Sequence, residues 1–172
     1  MTFNRIRAGE FKFKNRYEFS YENVTMFTQL FNGMKSRMYA LKIKHLRPFV
    51  SRFTGEGASD CGGPMRDVVS NVCNDLMSSV LPLLIPTANF LKKVEPCPDC
   101  YKLNPNATES FILRKYLFLG YFLGWSLRNM GALGIDIVPS FWKRLLGGPT
   151  YVYTLEDLHS MDFYRHRELT QV

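Results

Sequence analysis

The sequence predicts an α+β fold that is mostly helical, with a few short strands. Three stretches, residues 22–38, 64–78 and 109–130, repeat apolar side chains at intervals of three and four positions, as helices with a buried face do. Strand-like segments are few and short. Because strands and helices do not alternate regularly along the chain, a parallel α/β sheet is disfavoured. We expect the 172 residues to form a single domain.

The composition is that of a folded protein inside the cell. Apolar residues make up 46% and aromatic residues 15% of the chain, far from the low hydrophobicity of disordered proteins. The four cysteines do not resemble a secreted disulfide scaffold, and the amino terminus lacks a signal-peptide pattern. The longest nearly apolar run, Tyr116 to Leu127, is too short to span a bilayer. These features predict a cytoplasmic or nuclear location without a membrane segment.

The net charge of +7 is concentrated at the amino terminus. Residues 1–52 hold 11 Lys and Arg against 3 Glu, whereas residues 53–172 hold 11 basic against 12 acidic side chains. Such a basic segment can attract nucleic acid or another polyanion. No base-reading module accompanies these charges, so nucleic-acid binding is disfavoured. A non-catalytic protein- or anion-binding module that uses this basic third remains an alternative function.

The amino-terminal half is predicted to contain strands on either side of one helix. Aromatic and charged residues alternate over Met1 to Phe19, which favours one or two half-buried strands. The apolar stripe of residues 22–38 predicts a helix, with Gly33 as its weak point. The segment PFVSRF, residues 48–53, has the aromatic and β-branched content of a strand. A helix from about Pro64 to Ser78 follows.

A glycine-rich acidic turn connects that strand to the helix. It contains Gly55, Gly57, Gly62 and Gly63 together with Glu56 and Asp60. A phosphate-binding loop would place such glycines at a helix N-terminus, but the lysine of a nucleotide loop is absent and the carboxylates would repel phosphate. A calcium loop would need more oxygen ligands. The turn is therefore interpreted as a tight connection, in which Gly62 or Gly63 holds a backbone conformation closed to larger residues.

The carboxyl-terminal half is predicted to be helical apart from one strand and one long loop. Residues 82–86 place three apolar residues between two prolines and indicate a short buried strand. Residues 87–110, rich in Pro, Asn, Lys and Asp, are expected to form a surface loop. The helix over residues 109–130 should be the central buried helix. Two shorter helices should begin near Pro139 and Leu155, the second with a capping box that has Asp in place of Glu.

The sharpest chemical motif is Cys97-Pro98-Asp99-Cys100, which lies in the predicted loop. A Cys-x-x-Cys pair can bind zinc or form a disulfide, but a structural zinc site needs four ligands, and no second pair is present. A redox site would need a thioredoxin-like strand and helix around the pair. We expect reduced cysteines with no metal or cofactor. Zinc binding and oxidation at Cys97 and Cys100 remain alternatives.

Several sequence blocks occur in a specific order along the chain. They are TFNRIRA, GEGASDCGGPMRD, NVCNDL, PLLIPTANF, YKLNP, FLGYFLGWSLR, FWKRLLGGP and TLEDLHSMD. They are distributed over most of the range 1–165, and together they resemble the amino-terminal lobe of the HECT domain of ubiquitin ligases, with HERC-type members the most similar. The resemblance implies the same α+β, mostly helical fold, present here as an incomplete lobe.

The resemblance also implies a function in ubiquitin transfer. In that family the enzyme takes ubiquitin from a conjugating enzyme onto its own cysteine and passes it to a substrate lysine. The implied partners are therefore a ubiquitin-conjugating enzyme, ubiquitin and an unidentified protein substrate. The family's domain also contains a subdomain that docks the conjugating enzyme and a carboxyl-terminal lobe with the catalytic cysteine. Neither has a counterpart here, so this chain is expected to be the scaffold portion and inactive in isolation.

The family's catalytic cysteine follows a threonine, and none of the cysteines here does. The residues that precede Cys61, Cys73, Cys97 and Cys100 are Asp60, Val72, Pro96 and Asp99. We therefore predict no catalytic residue, no cofactor-binding residue and no metal ligand in the chain.

Overall fold

The computed structural model describes residues 1–14, 24–43, 47–56, 63–129 and 133–171. These residues group into two compact units. The first unit consists of Met1–Leu83 and Pro105–Ile135, and the second consists of Leu84–Asn104 and Asp136–Val172. Each unit is therefore assembled from two separate stretches of chain. That the whole chain is one domain stays a prediction.

Within the described ranges, helices outweigh strands. In chain order the elements are β1 (Thr2–Phe3), α1 (Arg5–Lys14), α2 (Met26–Met34), a 3-10 helix (Met38–Lys42), β2 (Arg52–Phe53), α3 (Gly63–Leu76), β3 (Leu84–Pro86), α4 (Ala88–Lys92), β4 (Tyr101–Leu103), α5 (Ser110–Asn129), α6 (Pro139–Gly147), a second 3-10 helix (Gly148–Thr150), α7 (Leu155–His159) and α8 (Phe163–Thr170). This distribution confirms the predicted α+β class with mostly helix and a few short strands.

The core of the first unit is formed by aromatic side chains of α2 and α5. Phe27 and Phe31 each pack edge to face against Phe118, with ring centroids 5.7 and 5.5 Å apart. Phe118 and Trp125 on α5 are buried, as the apolar pattern of that helix predicts. Aromatic side chains of this size bury on the order of 150–250 Å² each and dominate the energetics of a core. Helix α5 is therefore the central helix of this unit.

A buried carboxylate joins α2 to α3. The Phe27 N–H in the first turn of α2 donates to Oδ2 of Asp75 at 2.9 Å, and Asp75 is fully buried. Thr25, the N-cap residue, accepts a second hydrogen bond from the Thr28 N–H at 3.1 Å. First-turn N–H groups have no carbonyl partner inside a helix, so these two contacts satisfy donors that would otherwise be unpaired. They also place a carboxyl oxygen at the positive end of α2.

Strands β1 and β2 pair in parallel, with Phe3 opposite Phe53. The Arg5 guanidinium stacks 4.7 Å from the Phe53 ring centroid and its Nη2 lies 2.7 Å from Oε1 of Glu56. Glu56, a carboxylate of the glycine-rich turn, is thus engaged in an ion pair with α1. Residues 57–62 of that turn lie outside the described residues. The phosphate-loop, calcium-loop and tight-connection interpretations of the turn therefore stay predictions.

The expectation for Gly63 is wrong. Gly63 begins α3 without a positive φ, and a Cβ atom added there would meet no atom within 4 Å. Of the two turn glycines that the structure describes, Gly55 is the one with a positive φ, 82°. Gly62 lies outside the described residues.

The second unit is built on a short antiparallel pair of strands. Leu84 in β3 is opposite Leu103 in β4, and Tyr101 of β4 also forms a parallel bridge with Ile137. Helix α4 follows β3 directly, because the Thr87 side chain caps it by accepting from the Phe90 N–H. The helices α6, α7 and α8 complete the unit.

Two predictions about loops and strands are wrong. In the predicted strand region Met1 to Phe19, residues Arg5–Lys14 form helix α1. Asn4 accepts from the Arg7 N–H at 2.8 Å and so caps a helix where alternation favoured a strand. Residues 15–19 lie outside the described residues. The predicted loop of residues 87–110 contains both α4 and β4. Its polar composition is typical of a loop, but the stretch contains a helix cap at Thr87 and a strand three residues long.

The remaining elements agree with the predictions to within a few residues. Helix α2 lies inside the predicted 22–38 stretch, and α3 and α5 match their predicted ranges closely. Helix α6 begins at Pro139 and α7 at Leu155, as predicted. The capping box of α7 is formed by both partners, Thr154 and Asp157. Across the described part of the chain, no helix combines the length and apolar composition that a bilayer crossing requires.

Candidate functional site

The most connected polar group of the second unit is the carboxylate of Asp157. Its side chain is fully buried, and Oδ1 accepts from Nζ of Lys143 at 2.8 Å. Its Oδ2 accepts from the Tyr151 hydroxyl and from the N–H and hydroxyl of Thr154, at 2.9 and 3.1 Å for the last two. This cluster joins α6, the 148–154 turn and α7. We call these four residues the Asp157 cluster.

The electrostatics of the Asp157 cluster stabilise the ionised carboxylate. Burial by itself raises the pKa of Asp157, but the hydrogen bonds from Lys143, Tyr151 and Thr154 lower it by more, so the pKa lies well below its usual range. The same contact raises the pKa of Lys143 and that of the Tyr151 hydroxyl. At neutral pH the cluster is thus a charged pair with a neutral phenol. Such a network positions backbone, and nothing in it is poised to transfer a proton at neutral pH.

Arg144 holds the turn that follows α6. Its Nη1 donates to the carbonyl oxygens of Gly148 and Tyr151, at 2.6 and 3.0 Å. Gly148 has φ 61°, a conformation that favours glycine. The GGP sequence of the FWKRLLGGP block is therefore a turn fixed by the arginine of the same block.

Asn89 connects α4 to the α7–α8 region. Its buried side-chain amide donates to the carbonyl oxygens of Pro96 and His159, at 2.7 and 2.9 Å, and accepts from the Phe163 N–H at 2.7 Å. Its backbone N–H donates to the Met161 carbonyl. A buried side chain with every polar atom paired specifies one arrangement of the segments that it joins. The role of Asn89 was not predicted from the sequence. The one local signal is that Asn89 lies two residues after Thr87, a residue type that often caps helices.

The stretch from the last turn of α6 to the first residue of α7 carries apolar side chains that face solvent. Leu146 is 88% exposed and Val152 is 77% exposed. More than half of each of Leu145, Tyr153 and Leu155 is also exposed. We call these five residues the 145–155 apolar surface. Large exposed apolar patches often mark sites that contact another protein.

Cys73 does not have the environment of a transfer cysteine. It lies on the buried side of α3, at the wall of a cavity of about 360 Å³ in the first unit. Burial raises its pKa to about 11, although hydrogen bonding with the Gly134 backbone lowers it slightly. At neutral pH it is a thiol, and thiols are weak nucleophiles. Cys61, which sequence analysis also considered, lies outside the described residues.

The Cys97–Cys100 pair forms a tight turn in the second unit. The Cys100 N–H donates to the Cys97 carbonyl at 3.4 Å, and Cys97 has φ 63°. Burial, followed by the adjacent Cys97, raises the pKa of Cys100 to about 12. In the described residues no group of three or more His, Cys, Asp or Glu side chains could hold a metal ion. The pair therefore lacks further zinc ligands from this part of the chain.

Comparison with known proteins finds sequence similarity to ubiquitin ligases. No family model matches the chain. It is 32% identical over 111 residues, 64% of the chain, to the E3 ubiquitin-protein ligase HERC2 of Mus musculus and likewise to that of Homo sapiens. It is 36% identical over 101 residues, 59% of the chain, to the probable E3 ubiquitin-protein ligase HECTD4 of Homo sapiens. In each case the chain spans about 2% of the relative's length. These matches confirm the sequence resemblance: the chain is related, over about 60% of its length, to part of HERC2- and HECTD4-type E3 ubiquitin-protein ligases.

Proposed function

We propose that this chain is the scaffold portion of a HECT-type E3 ubiquitin-protein ligase, without the lobe that carries the catalytic cysteine. The observation that carries this proposal is the 32% identity to HERC2 over 111 residues. In the proposed reaction ubiquitin passes from a conjugating enzyme to a ligase cysteine and then to a lysine of a protein substrate. This chain would position those parts, in a cytoplasmic or nuclear setting, and would not form the thioester itself.

The state of the thiols supports a scaffold role. A ubiquitin-accepting cysteine must be accessible and have thiolate character at neutral pH. Cys73 is buried, and the pKa values of Cys73 and Cys100 are raised to about 11 and about 12. Both groups therefore stay protonated under the conditions in which the transfer occurs. No cysteine in the sequence follows a threonine, as the family's catalytic cysteine does.

The 145–155 apolar surface supports a contact with another part of the ligase. Its backbone is fixed by the Asp157 cluster and by Arg144, so its apolar side chains are presented without a large loss of conformational entropy on docking. A rigid, exposed apolar segment suits a scaffold that other domains pack against.

A domain-replacement experiment tests this function. In a ligase-competent segment of human HERC2, the 111 matched residues are replaced by the matching residues of this chain. We expect the chimera to form a thiol-sensitive ubiquitin adduct on a non-reducing gel when it is incubated with activating enzyme, conjugating enzyme and ubiquitin. The isolated 172-residue chain should form none under the same conditions.

Two controls make the result interpretable. A chimera in which the ligase's own catalytic cysteine is replaced by alanine should form no adduct. A chimera that is monodisperse and folded but forms no adduct would contradict the proposal. So would an adduct on the isolated chain that one cysteine-to-alanine change abolishes.

A further inference from the structure

Among the described residues, the lining of a cavity of about 220 Å³ in the first unit includes three cationic side chains and no carboxylate. The cations are Lys35, just after α2, and Arg114 and Lys115, on α5. The Thr28 and Asn32 side chains add polar groups to its wall, and two phenylalanines complete it. This combination concentrates positive charge next to a partly apolar enclosure.

Lys115 is the unusual member of the three. It is only 5% exposed, although lysine is among the residues least often buried. Its ammonium lies 5.8 Å from the centroid of the Phe111 ring, and burial lowers its pKa. Burying a charge costs free energy unless that charge is paired. A lysine that served only to pack would be better replaced by a leucine or a methionine.

The pairing that Lys115 needs is not supplied within the described ranges. Over residues 1–14, 24–43, 47–56, 63–129 and 133–171, none of the ion pairs involves Lys35, Arg114 or Lys115. By contrast, Lys143 and Arg5 in the same structure each have a carboxylate within 2.8 Å. The cavity therefore has three positive charges whose counter-charge does not come from this part of the protein.

The size of the cavity limits the anion that it can hold. A volume of about 220 Å³ equals that of about seven water molecules at ~30 Å³ each. Typical drug-sized ligands occupy pockets of about 300–1,000 Å³, so a nucleotide would not fit inside. A compact oxyanion would fit with room for the first atoms of the group that bears it.

We propose that this cavity binds a phosphate monoester. The Arg114 guanidinium supplies the planar pair of donors that matches two phosphate oxygens, Lys115 supplies a buried positive charge, and Lys35 closes the site from the side of α2. The Asn32 side-chain amide, which also lines the cavity, can donate to one of the remaining oxygens. The two phenylalanines, Phe31 and Phe111, would contact the carbon atoms of the ester. This inference does not depend on the proposed ligase function.

Titration calorimetry at low ionic strength tests the site. The ligands are inorganic phosphate, O-phosphoserine and a phosphoserine peptide, with an unphosphorylated serine peptide as the negative ligand. We expect saturable binding of at least one phosphate ligand, weakened by added salt. Binding of free phosphate or free O-phosphoserine alone would identify a small-molecule ligand, and tighter binding of the phosphopeptide would identify a phosphorylated protein.

Single substitutions locate the binding. Lys115→Met and Arg114→Gln should each weaken phosphate binding by about tenfold or more, because each removes a charged hydrogen-bond partner. Arg37→Met is the matched control: Arg37 is exposed near the end of α2 and does not line the cavity, so its replacement should leave affinity within about twofold. Lys115→Met should also raise the melting temperature, since it removes a buried charge.

Three results would overturn the proposal. The first is the absence of saturable heat with every phosphate ligand. The second is unchanged affinity in both cavity variants, and the third is an equal loss of affinity in Arg37→Met. If Lys115→Met fails to fold, Arg114→Gln decides the question alone, because the exposed Arg114 is not part of the core.

Discussion

At the scale of single residues, the Asp157 cluster shows how one carboxylate can organise a segment of chain. Four donor atoms converge on its two oxygens, from three different residues. Because the side chain is fully buried, water cannot replace any donor that is lost. The capping box that the sequence predicted at this position is therefore only part of what Asp157 does.

Replacing this carboxylate should be costly. We expect Asp157→Asn to lower the free energy of unfolding by about 1–3 kcal/mol, since the amide presents a donor where the Lys143, Tyr151 and Thr154 donors need an acceptor. The measurement is urea denaturation near neutral pH. Asp99→Asn serves as the control. Asp99 is mostly exposed and forms an exposed ion pair with Lys93. Loss of this pair should change the free energy of unfolding by less than about 1 kcal/mol.

The difference in stability between wild type and Asp157→Asn should depend on pH. The pKa of Asp157 in the folded protein lies below its ordinary value of 3.8. Its contribution is therefore fully present above pH 3.8 and is lost as the pH falls below that value towards the pKa in the folded protein. The difference in stability between wild type and Asp157→Asn should shrink over this acidic range. A difference that stays constant down to about pH 2 would contradict the assignment.

Residue-level prediction from the sequence worked where a local motif existed. Thr154 and Asp157 were found because a capping box has a fixed spacing. Lys143 was missed because Asp157 lies 14 positions away, and Asn89 was missed because His159 and Phe163 lie 70 and 74 positions away. No local pattern marks such contacts. Likewise, the burial of Lys115 depends on how α2 and α5 meet.

At the scale of elements, helix α1 is the clearest departure from expectation. Its sequence alternates aromatic and charged residues, a pattern that fits a strand. Asn4 changes the outcome, because its side chain accepts from the Arg7 N–H and its backbone exchanges hydrogen bonds with the Gln29 side chain of α2. A long-range contact thus fixes the starting point of α1. The bounds of the long, strongly apolar helix α5 were predicted closely from its sequence, without knowledge of any long-range contact.

The importance of this cap can be measured. Asn4→Ala should lower the free energy of unfolding by about 1 kcal/mol, with a small loss of helical circular dichroism, because the first turn of α1 loses its acceptor. Asn4→Asp keeps an acceptor oxygen at the same place and should recover most of the loss. Equal stability of Asn4→Ala and wild type would mean that tertiary packing alone holds α1.

At the scale of the whole molecule, both units present apolar side chains to solvent. On α5, Leu113 and Leu117 are 53% and 57% exposed, although the sequence predicted an apolar, central buried helix. In the second unit the 145–155 apolar surface is exposed. Periodicity could identify α5 as apolar, but it could not say which of its faces another element would cover.

This exposure predicts the solution behaviour of the isolated chain. We expect it to bind a hydrophobic dye and to self-associate as its concentration rises. Leu146→Gln together with Val152→Thr should reduce both effects while the melting temperature changes little, because neither side chain is buried. A matched change at exposed polar positions, such as Thr150→Ser, should leave both unchanged. A chain that stays monomeric at high concentration and binds no dye would contradict this expectation.

The discontinuous make-up of the second unit has a consequence for synthesis on the ribosome. The side-chain amide of Asn89 has its partners His159 and Phe163 70 and 74 positions later in the chain. At about 5–20 residues per second, the segment Leu84–Asn104 would leave the ribosome several seconds before these partners do. During that interval β3, α4 and β4 are outside the ribosome, but their partners in the rest of the second unit have not yet been synthesised. We therefore expect chaperones to bind this segment while the rest of the unit is being synthesised.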